Sequence, residues 1–297
     1  MDKIVKTSLI TVGLTAAALT AILVYLNQDD SSGERQEIRG GASSSGSDEY
    51  TSSSNSHELS SDTSEEGMNC SSSSSSKGTV SSPRNIHDYL RMLRYDDFSD
   101  SYINKKLEAA QVLLSISAYS ESFPMLEELD VISNILENMN YILSLDVTSP
   151  VQDVLLIKLG LFLGNLLASK NSQLRVIDNR FVPTLCNLIN DKNFERSDFS
   201  LLCLQNLSLN EEGGVEIIIS HGIDSFIRLL ESSKPINLKK QALHTILNMS
   251  LNRKVKVMID NNEGLLRALS HYATSGSNQD LVNITTRTLS LLTSNEE

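Results

Sequence analysis

From residue 84 to the C-terminus, apolar residues recur every three or four positions in segments of 10–18 residues. Short polar turns and Pro124, Pro150, Pro183 and Pro235 separate these segments. A period of three to four places the apolar side chains on one face of a helix, and proline interrupts the helical pattern. In "INKKLEAAQVLLSISAY" (103–119) the face is Leu107, Ala110, Leu113, Leu114 and Ile116; in "LKKQALHTILNMSL" (238–251) it is Leu238, Ala242, Leu243, Ile246 and Leu247. Nothing in this part of the chain reads as strand-rich, so the fold class is all-α.

The helices repeat. "LFLGNLLAS" (161–169), "LCLQNLSLN" (202–210) and "ILNMSLN" (246–252) each set an asparagine in an apolar helical pattern and close on a small polar residue. Asn165 to Asn206 is 41 residues and Asn206 to Asn248 is 42. Sixteen residues after each asparagine, at Phe181, Gly222 and Gly264, a further apolar segment starts: "FVPTLCNLI", "GIDSFIRLL" and "GLLRALS". Between the two lie "LRVIDN", "VEIIISH" and "VKVMIDN", so each unit reads as a short, a medium and a long helix. Upstream, Ser115 takes the asparagine place, and the 50-residue step to Asn165 implies an insertion of about eight residues near "NYILSLDVTSP". Downstream, "TTRTLSLLTS" (285–294) is a last long helix, which gives about four units.

Two other patterns precede the repeats. Residues 7–26, "TSLITVGLTAAALTAILVYL", carry no charge, and at helical rise they span roughly 30 Å, one hydrocarbon core. Lys3 and Lys6 precede them, and the run exceeds the usual apolar region of a cleavable signal, so residues 1–26 are expected to be a retained N-terminal membrane anchor. Residues 27–83 are dominated by Ser with scattered acids and few apolar residues, and are expected to form a disordered linker. A flexible coil of that length reaches on the order of 40 Å. The folded domain is then 84–297.

Charge and chemistry narrow the function. The formal charge of −12 argues against a general nucleic-acid partner, although the ten acids of the linker against Arg35, Arg39 and Lys77 supply −7 of it. The chain has no Trp and 5% aromatics, so its core must be mainly aliphatic. Cys70, Cys186 and Cys203 show no metal or redox spacing, and an odd count favours a reducing compartment. His57, His87, His221, His244 and His271 are scattered, and no nucleophile elbow, phosphate loop or zinc motif is present. No enzyme, cofactor, metal or small-molecule substrate is expected. The basic clusters 84–94 and 252–257 read as solvated faces, and "NLS" (206–208) and "NMS" (248–250) sit in packed helices where a glycan does not fit.

A glycine before an apolar helix, as in "GIDSFIRLLESS", followed by the long "LKKQALHTILNMS", resembles the armadillo pattern over roughly residues 103–294. The resemblance implies an armadillo-like α-solenoid whose third helices line a concave groove. There Asn165, Asn206 and Asn248 would bond the main chain of an extended peptide, since an amide both donates and accepts. Leu161, Leu202 and His244 stand where nuclear-import armadillos carry Trp, which argues against basic nuclear signals as partners. The candidate protein-binding groove is therefore Asn165, Leu202, Asn206, His244 and Asn248. The same amides also suit a structural role, bonding the carbonyls of the neighbouring repeat, and the residues leave both roles open.

The order of anchor, linker and array resembles the mitochondrially anchored armadillo proteins. That implies a protein-binding adaptor at the mitochondrial outer membrane, facing the cytosol, in organelle dynamics or trafficking. The alternative is an armadillo-type nucleotide-exchange factor for a heat-shock-70-class chaperone in the endoplasmic reticulum lumen.

Overall fold

Polar caps decide where the helices begin. Ser149 accepts from the Gln152 backbone N–H while the Gln152 side chain accepts from the Ser149 N–H, and Pro150 occupies the first helical position. Asn193, Asn210, Asn252 and Asn278 each accept from a backbone N–H two or three residues on, satisfying donors that the helix leaves orphaned. Asn210 and Asn252 are the closing residues of two of the recurrent asparagine motifs, so each motif ends one long helix and caps the next short one.

A computed structural model describes residues 85–94, 97–275 and 278–294. The expected membrane anchor (7–26) and the linker (27–83) lie outside the described residues. Among the described residues there are fourteen α-helices and no strand. They are α1 (Ile86–Arg94), α2 (Asp100–Ile116), α3 (Phe123–Glu128), α4 (Val131–Leu143), α5 (Pro150–Leu166), α6 (Lys170–Asp178), α7 (Val182–Leu188), α8 (Phe194–Leu207), α9 (Glu211–Ile219), α10 (Gly222–Glu231), α11 (Ile236–Leu251), α12 (Arg253–Ile259), α13 (Glu263–Ser275) and α14 (Gln279–Thr293).

Four three-helix units follow from this order, α3–α5, α6–α8, α9–α11 and α12–α14, after an N-terminal pair α1–α2 that lacks a first helix. The long third helices stack in sequence, α2 on α5, α5 on α8, α8 on α11 and α11 on α14. First helices α6, α9 and α12 stack likewise, as do second helices α7, α10 and α13. A single chain of buried side chains therefore runs from Ile86 to Leu292. It is mainly aliphatic, with Phe162, Phe181, Phe199 and Phe226 among its largest side chains and Met139, Met249, Cys186 and Cys203 beside them.

The backbone keeps the same period as the asparagines. Asp130, Arg180 and His221 have φ of 50°, 53° and 58°, the left-handed bend that turns the first helix into the second in three of the four units. Their separations are 50 and 41 residues, equal to those of Ser115, Asn165 and Asn206. Gly222, next to His221, does not make this turn. Gly222 is the first residue of α10, and a Cβ there would sit 2.5 Å from Ile217 Cγ2 and 2.7 Å from the Ile217 carbonyl oxygen, so close packing excludes a side chain. The insertion upstream of Asn165 is absorbed by α4, which has 13 residues against 7 in α7 and 10 in α10, and by the longer loop after it. α4 packs on α1, and Tyr141 near its end stacks on Phe98 with ring centroids 3.6 Å apart.

Lysines close the ends of second helices. Lys106 Nζ, only 1% exposed, donates to the Leu93 carbonyl and to Asn138 Oδ1, both at 2.8 Å, and lies 4.3 Å from the Phe98 ring centroid. Lys234 Nζ donates to the carbonyls of Ile189 and Asp191, and Lys239 Nζ to those of Leu230 and Ser232. A cation at a helix C-terminus meets both the orphaned carbonyls and the negative end of the dipole. The basic run 252–257 is not wholly a solvated face: Lys256 is buried and donates to the Ser294 carbonyl at 2.7 Å, tying α12 to the end of α14.

Candidate face of the third helices

Residues i, i+4 and i+7 share one face of a helix. On α8 that row holds Leu202 and Asn206, with Leu209 in the turn just after the helix; on α11 it is His244, Asn248 and Leu251; on α5 it holds Leu161 and Asn165, with Ala168 in the turn after the helix. The residues four before each asparagine and the asparagines themselves are all half-buried, while Leu209 and Leu251 are 66% and 57% exposed. Because successive third helices stack, these rows lie side by side, and the five candidate residues Asn165, Leu202, Asn206, His244 and Asn248 share one face.

The amide nitrogens point back along the array. Asn165 Nδ2 donates to Ser117 Oγ at 3.0 Å, and that hydroxyl donates to the Leu114 carbonyl at 2.8 Å. Asn248 Nδ2 repeats the arrangement one end further on, donating to Ser208 Oγ at 3.1 Å and to the Gln205 carbonyl at 3.4 Å, with Ser208 Oγ donating to the same carbonyl at 2.7 Å. Asn206 Nδ2 reaches the Gly164 carbonyl directly at 2.8 Å. Each asparagine therefore ties its unit to the preceding one. Among the described residues no donor reaches the three Oδ1 oxygens, and none of them is a buried orphan, so they stay open to solvent.

Glycine explains the direct contact of Asn206. A Cβ on Gly160 would meet the Phe199 ring at 2.4 Å, and one on Gly164 would meet Leu202 Cδ2 at 2.6 Å. Two bare positions one turn apart let α8 approach the α5 backbone. Leu202 lies over Gly164, and Asn206 reaches its carbonyl.

The electrostatics of the face are largely settled within the chain. Lys240 Nζ sits 2.8 Å from Asp280 Oδ2, and Gln241 Nε2 donates to Asp198 Oδ1 at 3.0 Å. Burial, then the Lys240 charge, hold the His244 imidazole below its ordinary pKa, with Asp280 opposing them. At the ends of the rows Glu211 pairs with Lys254 at 2.6 Å and Glu212 with Lys170 at 3.7 Å.

Among the described residues no group of three His, Cys, Asp or Glu could hold a metal ion. Burial pushes the Cys186 thiol up to about 12 and the Cys203 thiol higher still, so both are inert core groups. A depression of about 510 Å³ between α3 and α6 is lined by Pro124, Glu127, Glu128, Asn171, Leu174 and Arg175. Of its polar groups, Glu127 accepts from Ser169, Asn171 and Ser172, and Arg175 pairs with Asp130.

No family model matches this sequence, and no curated protein matches it. Solved structures do. A designed armadillo repeat protein superposes with a TM-score of 0.58 at 18% identity, covering 70% of this chain and 82% of the designed one. The fold is the armadillo fold. A second structure, of computationally designed armadillo repeat proteins for modular peptide recognition, matches with a TM-score of 0.58 at 19% identity over 69% of this chain and 81% of the other. A third designed armadillo repeat protein, solved in complex with the peptide (KR)4, gives 0.59 at 18% identity over 70% and 81%. At these identities the likeness is one of armadillo architecture, and it covers about the length that the described helices occupy.

Serine acceptors and rim leucines complete this armadillo face and were not among the candidates. Ser117 and Ser208 each lie two residues after the asparagine place, and Leu209 and Leu251 lie three after it, 42 residues apart, so the alignment on the asparagines carried the signal for all four.

Proposed function

We propose that this chain is a protein-binding adaptor that takes an extended peptide on the face of its third helices. The observation that supports it is the row of asparagine Oδ1 acceptors, open to solvent, one per unit at Asn165, Asn206 and Asn248, flanked by half-exposed Leu161, Leu202 and His244. Solenoids use such repeated faces as extended binding surfaces, and two of the similar designed proteins are described by peptide recognition or a bound peptide. Each amide nitrogen already donates to the preceding unit, and each Oδ1 is left to accept from the N–H groups of a peptide main chain.

The uncharged run 7–26 tethers the array to a membrane, and residues 27–83 give it reach. We place it on the mitochondrial outer membrane facing the cytosol, in organelle dynamics or trafficking, a reading that rests on the order of anchor, linker and array. Protease treatment of intact organelles carrying the C-terminally tagged chain tests the side: loss of the tag supports it, and protection overturns it in favour of a lumen. For the groove, the Asn206→Ala/Asn248→Ala chain should lose captured partners while its melting temperature falls by a few degrees. Undiminished capture would overturn the groove.

A further inference from the structure

We propose that the two-unit patch of Leu202 and Asn206 on α8, Leu209 in the turn after it, and His244, Asn248 and Leu251 on α11 selects an extended peptide bearing aliphatic side chains and no charge. This rests on the groove reading above and names the chemistry of its occupant.

Isolated exposed leucines are ordinary on a protein surface. Leu209 and Leu251 differ because they recur at one position of the repeat, 42 residues apart, and each follows an asparagine whose oxygen is free. At the same position the earlier units carry Ala118 and Ala168, so the aliphatic character belongs to the C-terminal half of the row. Leu202 adds a third aliphatic surface, held in place over Gly164.

Hydrogen-bonding capacity restricts the occupant further. Asn206 spends one Nδ2 hydrogen on the Gly164 carbonyl and Asn248 both of its Nδ2 hydrogens on Ser208 and Gln205, while the Oδ1 of each meets no donor among the described residues. An occupant needs one N–H per unit, which the main chain of an extended peptide provides and proline at that register removes.

Most charge beside the patch is already paired, which disfavours strongly basic and strongly acidic partners. Several ionised groups flanking the patch are matched inside the chain, Lys240 with Asp280, Glu211 with Lys254 and Glu212 with Lys170, while Asp198 accepts from the Gln241 amide and Arg253 is exposed beside Leu251. A charged side chain brought here would lose water and break an existing pair. His244, half-buried in the α11 row, has its pKa held below the ordinary value by burial and by Lys240, which favours the neutral imidazole.

The test is fluorescence anisotropy of the full chain with three labelled peptides of equal length: alternating Leu-Thr, the (KR)4 sequence and alternating Glu-Ser. The Leu-Thr peptide should bind tightest, and Leu209→Ser/Leu251→Ser should weaken it at least about tenfold, since each leucine loses burial against the peptide. The melting temperature of that variant should be unchanged, both side chains being exposed in the free protein. N-methylation of the Leu-Thr main chain at alternate residues should abolish binding in one of its two registers. Tighter binding of a charged peptide, or an unaffected leucine variant, overturns the aliphatic selection; the groove itself then stands if Asn206→Ala/Asn248→Ala still abolishes binding. Failure of all three peptides to bind overturns the groove and the selection with it.

Discussion

Replacing Gly160 by alanine probes the close approach of α5 and α8 on which the third-helix stack depends. An ideal Cβ at Gly160 lies 2.4 Å from two atoms of the Phe199 ring and 2.7 Å from a third. Ordinary carbon contacts are about 3.5–4.0 Å, so the ring must retreat by about 1 Å. Phe199 is fully buried and rigid, and cannot rotate away into solvent. Overpacking of this kind costs about 1–3 kcal/mol, and a shift this large belongs at the upper end. Alanine recovers about 1 kcal/mol of helix propensity, which leaves a net loss of about 2 kcal/mol. For a helical unit of this size that corresponds to a melting temperature lower by about 4–8 °C. Gly264 is the control: its nearest neighbour, Ile227 Cδ1, is 3.2 Å from the ideal Cβ, and the site is half-exposed. Gly264→Ala should be neutral or more stable by up to about 1 kcal/mol. Circular dichroism melts of the full chain and both variants decide the matter. A Gly160→Ala chain as stable as the parent would refute the close approach.

Three further outcomes follow from the same contacts. Asn206→Ala removes the bond to the Gly164 carbonyl and should lower stability by about 1 kcal/mol, read by urea denaturation; no change would mean that the inter-unit bond contributes nothing. Lys106→Met leaves the Leu93 carbonyl and Asn138 Oδ1 without a bond from Lys106 in a buried site, and should cost about 2–3 kcal/mol, with hydrogen exchange rising first in α1 and α4. The folded-state pKa of His244 lies below its unfolded value of 6.5, so the unfolded chain binds the proton more readily. Its contribution to stability is present above that pH and lost as pH falls through the folded value, and His244→Gln should show a flatter stability profile between pH 7 and 5.

The all-α architecture and the period were legible because helical spacing and the asparagines repeat in the sequence itself. Second helices starting at Val131, Val182, Gly222 and Glu263 fall within one residue of the positions reached by counting sixteen from Ser115, Asn165, Asn206 and Asn248. The direction of the amides was not legible, because it depends on which atoms the preceding unit presents: a serine hydroxyl at Ser117 and Ser208, a bare carbonyl at Gly164. Nor was the burial of Lys106, whose charged neighbours Lys105 and Glu108 give the segment a solvent-facing look. The left-handed turns at Asp130, Arg180 and His221 escaped for a similar reason, since none of the three is glycine.

The central claim is that partners meet this protein on the rows that contain Asn206 and Asn248. Photo-crosslinking in cells reads that surface directly, with p-benzoylphenylalanine placed at exposed Leu209 or Leu251 and, for comparison, at exposed Asp224 or Glu231 on α10. The account predicts covalent partner adducts from the two leucine positions and background from the two on α10. Adducts from α10 with none from Leu209 or Leu251 would contradict it.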